Sequence, residues 1–157
     1  MSEEHAVVKK LREAFPEAVE EVGEFRGQVW AVVRREDLLK VCLFLRDDPE
    51  LAFDFLSFVC GVDYLPREPR FDLVYQLYST KSHNRFRLKT RVGSQDPTVS
   101  SVTSVWATAD WHERETFDLM GIGFENHPDL RRILLPPDWV GHPLRKDYPL
   151  RGPDRAS

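Results

Sequence analysis

Asn84-Arg85-Phe86-Arg87-Leu88-Lys89-Thr90-Arg91-Val92 alternates without a break. Phe86, Leu88, Thr90 and Val92 fall on one phase, and Arg85, Arg87, Lys89 and Arg91 on the other. A period of two is produced by an antiparallel strand with one face on a core and the other toward a polar medium. Upstream, Phe71, Leu73, Tyr75 and Leu77 repeat the pattern, and residues 79–83 are short enough to join the two runs as a hairpin. The four bases are either the solvated face of their strand or a surface for a partner, since like charges on one face repel unless something compensates them.

Working outward, residues 19–25 and 28–33 alternate as two further strands, with Gly27 at the turn between them. In residues 36–46, Leu38, Val41, Cys42 and Leu45 hold the i, i+3, i+4, i+7 spacing of an amphipathic helix, which Asp47-Asp48-Pro49 stops. Residues 3–15 read as a helix with Ala6, Val7, Leu11, Ala14 and Phe15 on one side, ending at Pro16. The run 51–64 is apolar on both phases, so periodicity does not separate a buried strand from a helical turn leading into one. Residues 66–69, bounded by prolines, form a loop.

Beyond Pro97 the helical spacing returns in Val102, Val105, Trp106 and Ala109. Continued unbroken, that stripe would align Glu113 with Thr116, Phe117 and Met120 and bury its carboxylate. The favoured expectation is an interruption near Asp110, whose side chain can cap a new start. Arg114 and Asp118 then stand as i, i+4 neighbours, and Gly121 takes the position just past the helix end. Trp106, Trp111 and Phe117 are expected in the core.

The last 30 residues hold six of the 11 prolines, which forbids a long helix or a central strand. They also carry Leu130, Ile133, Leu134, Leu135, Trp139, Leu144, Tyr148 and Leu150, more apolar content than a disordered tail bears. The expected architecture is α+β. A mainly antiparallel sheet with helices packed on one face forms a compact domain over residues 1–127. An extended proline-rich arm follows over residues 128–157, lying across its own domain or docking on a partner, with Trp139 as its contact residue.

The 157 residues suit one domain with a real core, and 41% apolar with 31% charged content suits a soluble protein. No apolar run reaches the ~18 residues of a membrane span. The acidic start Met1-Ser2-Glu3-Glu4-His5 resembles neither a secretory signal nor a transit peptide. The net charge of −4 conceals +5 over residues 64–95. A local basic patch on an acidic chain fits docking better than nucleic-acid binding, and Phe86 and Leu88 lie opposite the bases rather than among them. Cys42 and Cys60 are expected as buried core thiols in a reducing compartment.

Chemistry finds little purchase. His112-Glu113 opens like a zinc-protease helix, but Thr116 stands where the second histidine belongs. His127-Pro128 and His142-Pro143 would lack third and fourth metal ligands, so hydrogen-bonding roles are expected for them. The eight glycines form no phosphate loop, and no serine sits in a GxSxG turn. Glu113 and Glu115 point to different faces of a helix, which makes them poor partners in a two-carboxylate site.

The stretch Trp111-His112-Glu113-Arg114-Glu115-Thr116-Phe117-Asp118-Leu119-Met120-Gly121-Ile122-Gly123-Phe124-Glu125-Asn126-His127-Pro128-Asp129-Leu130-Arg131-Arg132-Ile133-Leu134 resembles the signature of the C-subunit family of respiratory NADH:quinone oxidoreductase, complex I. Gly141-His142-Pro143-Leu144-Arg145-Lys146-Asp147-Tyr148-Pro149-Leu150 resembles that family's closing motif. Looser likeness extends through Val102-Thr103, Val105-Trp106 and Val62-Asp63-Tyr64. Asp110 departs from the asparagine that relatives often carry, and the chain stops soon after the closing motif, where some relatives continue or are fused to the D subunit.

The resemblance implies a non-catalytic structural subunit of the proton-translocating complex, scaffolding the quinone-reducing module during electron transfer from NADH to quinone. Expected partners are the D subunit, the adjacent subunit with the terminal iron–sulfur cluster, and other peripheral-arm subunits, with no nucleic acid. FMN, iron–sulfur clusters and quinone are expected on other subunits, with no cofactor, metal or catalytic residue on this chain. The implied location is peripheral, on the cytoplasmic face of the bacterial cell membrane, through the complex alone. Glu113, Arg114, Glu115 and Asp118 are expected in a charged network around the signature helix, with Gly121, His127, Pro128, Asp129 and Leu130 in the same motif. Arg131, Arg132, Trp139, His142, Pro143, Arg145, Lys146, Asp147 and Tyr148 are expected to contact the D subunit or to staple the arm to its own domain. The nearest alternative is the homologous subunit of an energy-converting membrane-bound hydrogenase or formate hydrogenlyase. A free-standing nucleic-acid-binding module is the alternative of another class.

Overall fold

The computed structural model describes residues 5–151. Seven strands and three α-helices follow one another as α1 (Ala6–Ala14), β1 (Val19–Phe25), β2 (Gln28–Val33), α2 (Leu38–Asp47), β3 (Phe55–Asp63), β4 (Phe71–Tyr78), β5 (Arg85–Val92), β6 (Thr98–Ser100), α3 (Ala109–Met120) and β7 (Gly123–Glu125). A 3-10 turn at Arg35–Asp37 leads into α2. The expected α+β class and both N-terminal strands are present. Positions 3 and 4, expected in the first helix, lie outside the described residues.

The main sheet has the order β1-β2-β5-β4-β3. Three of its ladders are antiparallel, and β2 pairs with β5 in parallel. That parallel seam joins the β1–β2 hairpin to the β3–β4–β5 meander, with α2 making the connection between them. β6 and β7 form a separate two-stranded parallel sheet. The ambiguous run 51–64 resolves as β3, preceded by a turn that buries Leu51 and Phe53.

One sheet face carries the core. Ala31, Val33, Leu56, Leu73, Tyr75, Leu77, Phe86 and Leu88 pack there against Leu11, Leu38, Val41, Cys42 and Leu45. The α3 helix lies on the same side along β3, and a Cβ at Gly61 would stand 3.1 Å from Ile122 and 3.3 Å from Met120. Glycine there permits the close approach of helix and strand. Cys42 is buried as expected, whereas Cys60, on the opposite phase, is only half-buried.

On the opposite face the basic row is compensated within the sheet at its Lys89–Arg91 end. Arg91 pairs with Glu21 at 2.8 Å and approaches Asp72 at 3.4 Å. Lys89 sits 4.7 Å above the Trp30 ring, and Arg87 Nε donates to Gln76 Oε1 at 3.1 Å.

The expected interruption near Asp110 is present, and two details of α3, the cap and the place of Trp111, are corrected. The break precedes Asp110, because Val102 to Thr108 form turns and the helix starts at Ala109 without a side-chain cap from Thr108. Glu113 is nonetheless fully buried, since Ser101 and Val102 supply donors that the helical stripe alone did not reveal. Trp111 is 61% exposed rather than core, with the Arg114 guanidinium 5.3 Å from its ring centroid.

Candidate functional site

The signature residues converge on the last turn of α3, where the proline-rich segment lies across the helix end. A helix terminus leaves its final carbonyls without partners. Here Gly121 N–H bonds the Phe117 carbonyl at 2.8 Å, with Gly121 at φ +74° in the left-handed conformation glycine tolerates. Arg132 Nη1 and His142 Nδ1 each lie 2.9 Å from the Asp118 carbonyl. The Leu144 N–H donates to the Leu119 carbonyl at 3.0 Å, and Arg145 Nε donates to that of Met120 at 2.6 Å. Two arginines at a helix C-terminus also suit its negative dipole end.

The Asp118 side chain organises the start of the arm. Its Oδ1 accepts from Arg132 Nη1 at 2.7 Å, and its Oδ2 accepts the N–H groups of Ile133, Leu134 and Leu135 at 3.1, 2.8 and 2.9 Å. Burial by itself would raise the pKa of this carboxyl. The Arg132 guanidinium and the three N–H donors outweigh that and hold it below the usual carboxylate range. Arg132 Nη2 also donates to the Trp139 and Gly141 carbonyls, both at 2.9 Å, so one guanidinium ties the helix end to two later points of the arm. Arg114 Nε and Nη2 donate to the Arg131 and Arg132 carbonyls at 3.2 Å. Arg114 and Asp118 therefore do not pair with each other; both are spent on the arm.

A second anchor lies at the end of β3. Arg70 meets Asp63 in a bidentate pair, with both N–O distances 2.8 Å, and reaches Asp147 Oδ1 at 2.8 Å. Asp63 Oδ2 accepts the Lys146 N–H at 2.8 Å. The Arg70 guanidinium drives the Asp63 carboxyl far below its ordinary range, and the two acids raise Arg70 in return. Burial and the nearby Arg70 charge lower the pKa of Arg145.

The two histidine–proline pairs clamp opposite ends of α3. The Asp129 N–H donates to His127 Nδ1 at 2.9 Å, so Nε2 carries the proton and points to the Asp110 carbonyl at 3.2 Å. His142 serves the other end. Leu130 packs on the core, and Trp139, Pro143 and Tyr148 are half-buried along the arm. Asp129 and Arg131 form an exposed pair at 2.9 Å, while Pro128 and Glu115 are exposed.

Glu113 stands apart, in the core. Ser101 Oγ donates to it at 2.5 Å and the Val102 N–H at 3.0 Å. Burial pushes its pKa up to about 7 against the lowering effect of those two donors. Asp63 entered the sequence reading only through the looser likeness at Val62-Asp63-Tyr64, and Arg70 and Ser101 not at all. The available signal for the first two was Asp63 closing an uncharged run and Arg70 following the proline loop. Among the described residues, no group of three or more His, Cys, Asp or Glu could hold a metal ion. No described helix is long and apolar enough to cross a membrane.

Residues 31–154 match the family model described as respiratory-chain NADH dehydrogenase, 30 Kd subunit. The chain is 53% identical to the C subunit of NADH-quinone oxidoreductase from Geotalea uraniireducens (strain Rf4) over 155 residues, which cover 99% of this chain and 93% of that protein. It is 54% identical to the protein of the same name from Roseiflexus sp. (strain RS-1), over 92% of this chain and 83% of that one. The solved trypsin-resistant fragment (1-134) of Nqo5 is similar with a TM-score of 0.67 and 34% identity, over 79% of this chain and 98% of the fragment. A chain of the membrane-bound sulfane sulfur reductase, an archaeal respiratory membrane complex, shares the fold at TM-score 0.69 and 24% identity, over 92% of this chain and 84% of that one.

Proposed function

From the premise that this chain belongs to the family of the 30 Kd subunit of respiratory-chain NADH dehydrogenase, we infer that it works as the C subunit of an NADH:quinone oxidoreductase, as a non-catalytic scaffold. In this reading it holds the D subunit and the neighbouring subunit with the terminal iron–sulfur cluster at the quinone-reducing module. FMN, clusters and quinone reside on other subunits, and the chain meets the membrane from its cytoplasmic face through the complex alone. The compact domain over 1–127 carries the sheet, and the arm over 128–157 provides the docking surface.

One observation carries the scaffold reading. The arm is fixed to its own domain by buried guanidinium and backbone bonds, yet it holds Leu134, Val140, Leu144 and Leu150 outward. Val140 is 78% exposed and Leu150 fully so. Apolar side chains displayed on a backbone that is already fixed spare the cost of ordering that backbone when a partner covers them.

The test is a pull-down of the tagged chain from mildly solubilised membranes, with partners identified by mass spectrometry. The wild-type chain is expected to recover the D subunit, the cluster-bearing subunit and quinone-dependent NADH oxidation. Val140→Asp with Leu150→Asp, both at exposed positions, should melt like wild type and lose those partners. Recovery of nickel–iron hydrogenase subunits would move the chain to a sister complex, and normal incorporation of the double variant would remove the arm from the interface.

A further inference from the structure

The two edges of the main sheet are built differently. β1, at one edge, carries Glu20, Glu21 and Glu24 among its seven residues. β3, at the other, runs for nine residues with no charge before Asp63. A long, uncharged, apolar edge is a template for another strand, and charged side chains are the common guard against it. The Tyr64 N–H donates to the Arg70 carbonyl at 2.9 Å. By the alternation of an antiparallel ladder, Cys60 and Val62 then bond to β4, while Val59 and Gly61 turn N–H and C=O outward.

Two grooves share Phe58 of this edge: one crosses the sheet face toward Gln28 of β2, and the other runs along the edge beside α3. The first, of about 470 Å³, is lined by Phe55, Gln76, Tyr78, Arg85 and Arg87. The second, of about 270 Å³, lies between β3 and the outer flank of α3, where His112, Glu115 and Leu119 succeed one another along the helix, with Leu144 of the arm beside them. The basic row of β5 divides at this point. Arg91 has its carboxylates and Lys89 its indole ring, but Arg87 meets only the neutral Gln76, and Arg85 makes no ion pair among the described residues. Two guanidinium groups without a carboxylate therefore border the first groove, and Glu115, without an ion pair among the described residues, borders the second.

We propose that the free edge of β3 receives an extended segment of a neighbouring subunit as a sixth strand. The segment carries an acidic side chain that meets Arg85 and Arg87 beside Phe55, and apolar side chains that enter the groove under Leu119. Backbone pairing supplies the affinity and the charged end sets the register. The inference rests on the reading that this chain works inside a complex.

Amide hydrogen exchange of the full chain, alone and in the complex it recovers, tests this. The Gly61 amide should exchange rapidly in the isolated chain and at least ~100-fold more slowly in the complex. Arg85→Glu with Arg87→Glu should leave the isolated chain's melting temperature within a few degrees of wild type and abolish that protection. Equal exchange in both states overturns the proposal. Protection that already exists in the isolated chain and grows with its concentration assigns the edge to a second copy, and overturns it too. Recovery of no other subunit overturns both this inference and the complex reading, whereas a recovered complex with that amide unprotected overturns this inference alone.

Discussion

Glu113 and Asp118 stand five residues apart on one helix, both without solvent exposure, and their surroundings push them in opposite directions. Glu113 receives one hydroxyl and one N–H, with no cation, and its pKa rises to about 7. Asp118 receives a guanidinium and three N–H groups, and stays below the ordinary carboxylate range. Glu113 lies deeper in the protein, where burial dominates, whereas Asp118 lies nearer the arm, where the number and charge of its donors win. The consequence is a division of labour along α3: its middle belongs to the core, and its C-terminal turn belongs to the arm.

Removing the cation from the arm end should break the contrast most strongly. Arg132→Met leaves the Asp118 carboxylate buried with only N–H partners and frees the Trp139 and Gly141 carbonyls. The expected cost is about 3–5 kcal/mol, or about 10 °C of melting temperature for a domain of this size. Asp118→Asn in the same chain should restore part of that loss, because no unpaired charge then remains. A single-variant drop under about 3 °C in a thermal melt at pH 7 would mean that this pair does not anchor the arm.

The core end answers to pH instead. Glu113 has a folded pKa of about 7 against an ordinary value of 4.5, so the folded chain binds the extra proton between those values. Stability should therefore fall as pH rises from about 4.5 to 7 and level off above, by about 3 kcal/mol in all. Asp63 and Asp118 work the other way: their lowered pKa values give stability that is present above the ordinary carboxylate range and lost as pH falls through it. Together they place the stability maximum near mildly acid pH. Denaturant melts of Glu113→Gln should lose the decline between pH 5 and 8, and a wild-type curve that is flat over that range would refute the account.

A smaller effect is expected at the helix end itself. A Cβ at Gly121 would meet Arg145 Nη2 and His142 Cδ2, each at 2.6 Å, on a backbone already at φ +74°. Gly121→Ala should cost about 1–2 kcal/mol, read as a shift in denaturant midpoint. Because the clashing atoms belong to the arm, the loss should shrink when Arg145→Ala is present.

How much of this was legible follows the range of each interaction. Period-two alternation placed β1, β2 and β5 and turned Phe86, Leu88, Thr90 and Val92 to the core, because the signal lies within one strand. It did not show how the basic row is compensated, since Glu21, Trp30, Asp72 and Gln76 come from three other strands and meet it through a sheet order containing a parallel seam. The helical stripe aligned Glu113 with core positions, but its donors, Ser101 and Val102, lie a dozen residues upstream, where a helix-like spacing folds as turns instead. Composition marked the arm as apolar and proline-rich. Its attachment joins side chains that the motifs marked, such as Asp118, Arg132, His142 and Arg145, to backbone carbonyls and N–H groups, so residue type gave the staples but not what they hold.

The smallest expected effect sharpens the comparison most cleanly, because it sets two neighbouring arginines against each other. Arg131 and Arg132 both belong to the signature, and sequence does not distinguish them. The Arg131 side chain is 70% exposed and meets only the equally open Asp129, while that of Arg132 is 13% exposed and bonds a buried carboxylate. An exposed pair gives little to stability, because water screens it and both long side chains lose freedom in forming it. Arg131→Ala should therefore shift the melting temperature by less than about 2 °C. Its Cα and carbonyl remain, so the Arg114 bond to the Arg131 carbonyl survives the substitution. If Arg131→Ala instead matched Arg132→Met in the isolated chain, the anchoring would have to be spread along the arm backbone rather than concentrated at Asp118. Should Arg131→Ala melt normally yet fail to enter the complex, its guanidinium would be free to serve a partner, the one role its exposure leaves open.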